Sequence, residues 1–250
     1  MVAPYPSIKV RELVKSFGEE QVLKKVDLDL YPDSINFIIG RSGEGKSVLL
    51  KIMCGLYSPD AGSVYFDDLD MVKATSKQVR FIRSKSALLF QDGALFDSMS
   101  VGQNVVFPLW FHKLASPALA KQKAEHLLSE LGLGTSFEAR VSDLSSGEKK
   151  RVALARALIT EPKAVFFDEP TTGLDPLISS QVDELIVHAK KKTGATVVVV
   201  SHDMAAALTL ADYINLLYNG RVVFSGPPLS FKVSKEPEII RFLTSNARAA

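Results

Sequence analysis

The sequence predicts an α/β fold with a mixed sheet core, an antiparallel β subdomain and a helical subdomain inserted into the core. Three observations predict it. Gly40-Arg41-Ser42-Gly43-Glu44-Gly45-Lys46-Ser47 follows Ile35-Asn36-Phe37-Ile38-Ile39, an apolar run with the character of a buried strand. A second apolar run, Ala164-Val165-Phe166-Phe167, ends in the adjacent carboxylates Asp168 and Glu169. Between them, from about Asp92 to Thr160, the apolar spacing turns helical.

Taken in chain order, residues 7–30 read as a strand pair, because Val26-Asp27-Leu28-Asp29-Leu30 alternates with the period of a half-buried antiparallel strand. The strand at 35–39, the glycine-rich loop and an apolar helix carrying Cys54 come next, followed by a hairpin-like Gly62-Ser63-Val64-Tyr65-Phe66. Helices are expected over residues 101–113 and 116–131, with a break at Gly132-Leu133-Gly134, and then over 149–160. From Pro162 the core resumes, with strands over 164–168, 196–200, 213–217 and 221–224. Residues 1–250 are expected to form one domain, with its core in 7–91 and 161–225, its helical subdomain in 92–160 and a tail in 226–250. The tail sets Ile239, Phe242 and Leu243 on one helical face, for packing on its own core or on a neighbouring subunit.

Composition narrows the function classes. With 250 residues, 46% of them hydrophobic, the chain suits one domain with an inserted lobe and leaves no room for two such cores. A net charge of +2 gives no electrostatic case for nucleic acid, and Lys190-Lys191-Lys192 reads as a solvated helix C-terminus. The single cysteine, Cys54, excludes an internal disulfide framework and reads as core rather than reactive. No run approaches the ~18 consecutive apolar residues of a membrane span, and residues 1–10 lack the pattern of a secretory signal. A cytosolic or membrane-peripheral protein is expected.

The chemistry lies in the motifs. Gly40 to Ser47 fits G-x-x-x-x-G-K-[ST], the Walker A pattern, whose glycines let backbone N–H groups close around phosphates. Lys46 is then placed for the β/γ oxygens and the Ser47 hydroxyl for Mg²⁺. Alone, this loop suits a kinase or a GTPase equally well. Asp168 at a strand end is a second Mg²⁺ ligand candidate, and Glu169 a candidate general base for an attacking water. Leu144-Ser145-Ser146-Gly147-Glu148 precedes the third helical stretch; Ser145 and Glu148 have the spacing of a capping box, and a capped helix start can also receive a γ-phosphate.

On these residues the chain resembles the ATP-binding cassette (ABC) ATPases over essentially its whole length, which implies the ABC-type P-loop NTPase fold with a RecA-like core. The resemblance implies ATP and Mg²⁺ as cofactors. It places Gly40, Arg41, Ser42, Gly43, Glu44, Gly45, Lys46, Ser47 and Val48 around the nucleotide, and Ser47, Gln91 and Asp168 at the metal. Gln91 matches the family's Q-loop, His202 its switch histidine and Gly173-Leu174-Asp175-Pro176 its D-loop, with Asp175 near the nucleotide; Phe17 sits where an aromatic stacks on adenine. Lys46, Gln91, Glu169 and His202 are the implied catalytic set. Ser145 and Gly147 are implied to reach the γ-phosphate of another subunit, so that the unit is a head-to-tail homodimer. Two positions depart from the common pattern: Ser146 stands for glycine and Glu148 for glutamine. Were the backbone at Ser146 left-handed, serine would cost about 1 kcal/mol relative to glycine.

The segment after Gln91, Asp92-Gly93-Ala94-Leu95-Phe96-Asp97-Ser98-Met99-Ser100-Val101 with Asn104-Val105-Val106-Phe107-Pro108-Leu109, looks like the Mla/Mce-type phospholipid-trafficking ATPases. That likeness implies an integral membrane permease, an Mce-type lipid-binding protein and a small regulatory subunit as partners, with no nucleic acid, and a peripheral place on the cytoplasmic face of the inner membrane. Phe96, Met99, Val105, Val106 and Phe107 are then either permease contacts or core of the helical lobe. A cassette for another cargo, such as amino acids or metals, and a soluble single-cassette ATPase for cofactor assembly remain the alternatives.

Overall fold

Alternating apolar and polar side chains fold the N-terminal segment into a hairpin, β1 (Ile8–Phe17) antiparallel to β2 (Glu20–Leu30). Val26, Leu28 and Leu30 turn inward while Asp27 and Asp29 stay exposed. The chain is described in a computed structural model over residues 7–91, 93–134, 137–173 and 176–246. With β4 (Ala61–Phe66) and β5 (Leu69–Asp70) the hairpin makes a four-stranded sheet of order β2-β1-β4-β5.

The second sheet holds six strands: β3 (Ile35–Ile39), β6 (Ser86–Leu89), β7 (Ala164–Asp168), β8 (Thr196–Ser201), β9 (Tyr213–Tyr218) and β10 (Arg221–Gly226). Their order is β10-β9-β3-β8-β7-β6, parallel from β9 to β6, with β10 as an antiparallel edge. Because β3, β7 and β8 are buried on both faces, their sequences are mainly apolar runs instead of alternations, with Asn36 the one polar residue inside β3. Successive side chains serve different cores. Phe37, Ile39, Val165, Phe167, Val197 and Val199 pack into one, and Ile38, Phe166, Val198 and Val200 into the other.

The second of these cores lies between the two sheets and takes in α1 (Lys46–Met53) through Leu49, Leu50, Ile52 and Met53. The first is closed by α3 (Val101–Phe111), α4 (Pro117–Glu130), α5 (Ser146–Leu158), α6 (Pro176–Thr193) and α7 (Met204–Leu210). A further helix, α2 (Ser76–Ser84), buries none of its residues. Ser145 caps α5, so that helix starts at Ser146, three residues before the expected 149.

Three expectations are settled here. Val105 and Val106 are fully buried in the helical lobe, so they are core and not a contact face. In the tail, α8 (Pro228–Val233) and α9 (Pro237–Asn246) set Phe231, Ile239 and Phe242 into the chain's own core, with Leu243 packed against it. At the end of α6, Lys190 donates to Asp33 at 2.7 Å and Lys192 to Glu130 at 2.6 Å, so this run is tied to neighbouring elements rather than merely solvated. Among the described residues no helix is long and apolar enough to cross a membrane.

Candidate active site

Sheet register brings the chemistry together. Ile39 of β3 pairs with Ser201 of β8, and Val200 of β8 with Asp168 of β7, so three strands deliver their carboxyl ends to one edge. From that edge the chain after β3 turns through residues 40–45 into α1. Gly40 passes so close to β9 that a Cβ there would stand 2.5 Å from the Leu217 carbonyl oxygen. Gly45, the N-cap of α1, has φ 93, and a Cβ would meet Val22 Cγ1 at 2.7 Å. Both positions therefore require glycine.

The next two residues meet the carboxylates. Ser47 Oγ donates to Asp168 Oδ1 at 2.6 Å. The Lys46 ammonium, buried with its side chain, donates to the carbonyls of Gly40 at 3.1 Å and Arg41 at 3.0 Å and lies 3.1 Å from Glu169 Oε1. On its other oxygen Glu169 meets His202 Nδ1 at 2.8 Å and accepts from Thr172 Oγ1 at 3.0 Å. Burial pushes the Glu169 carboxyl up, but the Lys46 charge and the hydrogen bonds from Lys46, His202 and Thr172 outweigh it and hold the group below its ordinary value of 4.5. Glu169 is thus an ionised carboxylate with a left-handed backbone, φ 48. Strained positions of this kind concentrate at functional sites.

A cavity of 870 Å³ opens on this cluster. It is walled by the loop from Gly40 to Val48 apart from Glu44, by Glu20 and Val22 of β2, and by Gln91, Glu169, Thr172 and His202. Asp168 stands behind Ser47, 8% exposed. The wall combines backbone N–H groups at a helix start with one buried cation, which suits a polyphosphate. Among the described residues no group of three His, Cys, Asp or Glu is placed to hold a metal by itself. The Ser47 hydroxyl and Asp168 carboxylate are hard oxygen donors, the minimal protein set for Mg²⁺, which keeps waters and takes phosphate oxygens as its other ligands.

Several expected residues are elsewhere. Phe17 does not line the cavity; it is 48% exposed at the hairpin end, edge-on to Tyr57 at 6.0 Å, and it neighbours Glu20, which does. Ser145 and Gly147 also lie outside the cavity of their own chain. Ser145 Oγ accepts from the Glu148 N–H at 3.3 Å, while Glu148 Oε2 accepts from the Ser145 N–H at 2.8 Å and hydroxyl at 2.6 Å. Gly147 packs on α6, where a Cβ would approach Gln181 Oε1 to 3.3 Å and Ile178 Cδ1 to 3.4 Å. Ser146 is the first residue of α5 and is not left-handed, so serine carries no strain there. Asp175 lies outside the described residues.

Sequence reasoning missed Glu20, Val22 and Thr172. Thr172 had a signal: it stands three residues after Glu169, the spacing at which a hydroxyl reaches back to a carboxylate. Val22 and Glu20 had none, because only the stacking of the two sheets brings β2 to the loop.

The family model described as ABC transporter matches residues 23–172. Over 237 residues the chain is 35% identical to a protein of Mycobacterium leprae named probable ribonucleotide transport ATP-binding protein mkl, covering 95% of this chain and 68% of that one. It is 32% identical over 236 residues to the intermembrane phospholipid transport system ATP-binding protein MlaF of Escherichia coli, covering 94% and 88%. Among solved structures, the dimeric post-hydrolysis state of the ATP-binding cassette MJ0796 bound to ADP and Pi superposes with TM-score 0.78 and 30% identity, covering 88% of this chain and 98% of that one. The chain spans about two thirds of the length of the mycobacterial relatives, 68% in one and 66% in others.

Proposed function

The chain belongs to the ABC transporter family and is an ATPase of that family, and from that premise we propose that it powers phospholipid movement between membranes through a separate permease. The observation that carries the enzymatic part is the Glu169 carboxylate, held between Lys46, His202 and Thr172 at the mouth of the phosphate loop. When ATP enters, the loop N–H groups from Gly40 to Val48 take the phosphates and Lys46 exchanges Glu169 for the β/γ oxygens. Freed of the ammonium, Glu169 accepts the proton of a water whose oxygen bonds to the γ-phosphorus as the bond to the bridging oxygen breaks, leaving ADP and phosphate. His202 keeps Glu169 aimed, and Gln91 reads the γ-phosphate from the opposite wall. Ser47, Asp168 and Gln91 would hold Mg²⁺, which when bound would supply charge neutralisation on the phosphates.

Adenine is assigned to the exposed ring of Phe17, and Asp175 to the dimer side of the nucleotide. Because Ser145 and Gly147 are absent from the cavity of their own chain, they are assigned to the γ-phosphate of a second copy in a head-to-tail dimer. The permease is assigned to the exposed aromatic face of the helical lobe, where Phe96 lies 5.0 Å from Phe107 and Phe107 lies 5.9 Å from Phe111. On this reading the chain lies peripherally on the cytoplasmic face of the inner membrane, with an Mce-type lipid-binding protein and a small regulatory subunit as further partners.

Phospholipid is favoured as cargo by the segment from Asp92 to Leu109 and by the likeness to MlaF. The relative named for ribonucleotide transport supports a second cargo class. The complex with its permease, reconstituted in liposomes, decides: ATP-dependent transfer of labelled phospholipid to acceptor vesicles is expected. ATP-dependent uptake of a labelled ribonucleotide with no lipid transfer overturns the phospholipid assignment.

A further inference from the structure

Lys150, Ala153 and Arg156 recur at intervals of three residues along one face of α5, and the segment that carries Gln91 lies across that face. Gly93 rests on the helix: its backbone is left-handed, φ 73, and a Cβ there would meet Ala153 Cβ at 3.2 Å. On one side of this contact Arg156 donates to the carbonyls of Gly93 at 2.7 Å and Ala94 at 2.8 Å. On the other side the Lys150 ammonium donates to the Gln91 carbonyl and, at 3.1 Å, to the Pro170 carbonyl, the residue after Glu169. One side chain therefore joins three pieces of backbone. Two of them, at Gln91 and at Pro170 next to Glu169, adjoin the chain's own cavity, which Gln91 and Glu169 line. The third, α5, is capped by Ser145 and carries Gly147 in its first turn, and both lie outside that cavity.

We propose that Lys150 is a positioning residue that couples the two nucleotide sites of the dimer. A γ-phosphate read by Gln91 in one site displaces a loop whose carbonyl is fastened to α5, and the helix carries the displacement to its own first turn, which completes the other site. A lysine fits this place because its ammonium offers several donors in free directions, and carbonyls from two separate segments converge on it. The proposal rests on the head-to-tail assignment made above, and the test separates the two.

Lys150→Met keeps the stem and removes the donors, whereas Lys150→Arg keeps donors. Lys150→Met is expected to bind ATP in the monomer as the parent does, to lose about tenfold in kcat, and to lose sigmoidal dependence of turnover on ATP. Lys150→Arg is expected to restore most of both. Mixed dimers in which one chain carries Lys46→Ala have a single working site. Placed in either chain of such a dimer, Lys150→Met is expected to lower turnover by about tenfold. Loss confined to the chain that supplies Lys46, no loss in either placement, or a fall in monomer affinity that matches the fall in turnover and is not rescued by arginine each overturns the coupling role. If Ser145→Phe in the same mixed dimers acts only in the chain that supplies Lys46, the head-to-tail assignment fails instead.

Discussion

Glu169 shows how much one carboxylate can hold in place. It neutralises a buried ammonium, meets His202 and Thr172, and sits on a left-handed backbone that hydrogen-bonds to Val200 at 2.9 Å. Glu169→Gln is expected to bind ATP, to lose about 100-fold or more in turnover and to persist as an ATP-bound dimer on size exclusion. Near-normal turnover would take the base role away from it. A second carboxylate predicts a pH effect. Burial first, and then the nearby Asp203, push Asp183 up from 3.8 to about 6, and its Oδ1 is buried with no hydrogen-bond partner. A folded-state value above the unfolded one means that the folded chain binds more protons between these values, so this group subtracts stability as pH rises through 3.8 and fully so above about 6. Asp183→Asn should therefore raise Tm relative to the parent at pH 8 and leave it level below pH 3.8. A constant difference across that range refutes the assignment. That Lys46 and His202 close on Glu169 itself, and what surrounds Asp183, could not be read from sequence, because these groups come from separate strands and helices.

At the scale of elements, α5 unites capping and function. Its start is a capping box in which Glu148 accepts from the Ser145 N–H and hydroxyl. Gln78 in α2 and Gln103 in α3 play the same part for Thr75 and Ser100, so a glutamine is sterically and chemically adequate. Glu148→Gln is expected to leave Tm within about 2 °C and turnover within about twofold of the parent, as a surface change without a lost partner should. Ser145→Ala, in contrast, removes the cap and is expected to cost about 1 kcal/mol of stability in chemical denaturation and to depress turnover further than stability explains. Equal effects of the two substitutions would separate the box from catalysis. Short apolar runs made β3 and β7 legible to the residue. By contrast α2 has only Val79 and Ile82 half-buried against the core in an otherwise polar segment, too short a stripe to place it from sequence. Lys150 was hidden in a basic run, Lys149-Lys150-Arg151, that by spacing alone is a counterweight to Glu148.

At the scale of the molecule, the tail is part of the fold. Phe231, Ile239 and Phe242 are buried in the core closed by the helical lobe, and Phe231 also meets Phe224 of β10 edge-on at 5.1 Å. Phe242→Ala is expected to destabilise the monomer by about 3–5 kcal/mol in urea titration. A variant with parent-like monomer stability and weakened ATP-dependent dimerisation would move that face to the subunit boundary. The sequence by itself determined the phosphate loop, the acidic strand end, the capped helix and the family they imply, because each depends on residues adjacent in the chain. Tertiary structure alone decided that Val105 and Val106 are core, that the tail folds home, and that Lys46 meets Glu169. It also decided that Ser145 and Gly147 lie outside their own chain's cavity. Which strands lie side by side is fixed by burial summed over two hydrophobic cores, a quantity that no local pattern of residues contains.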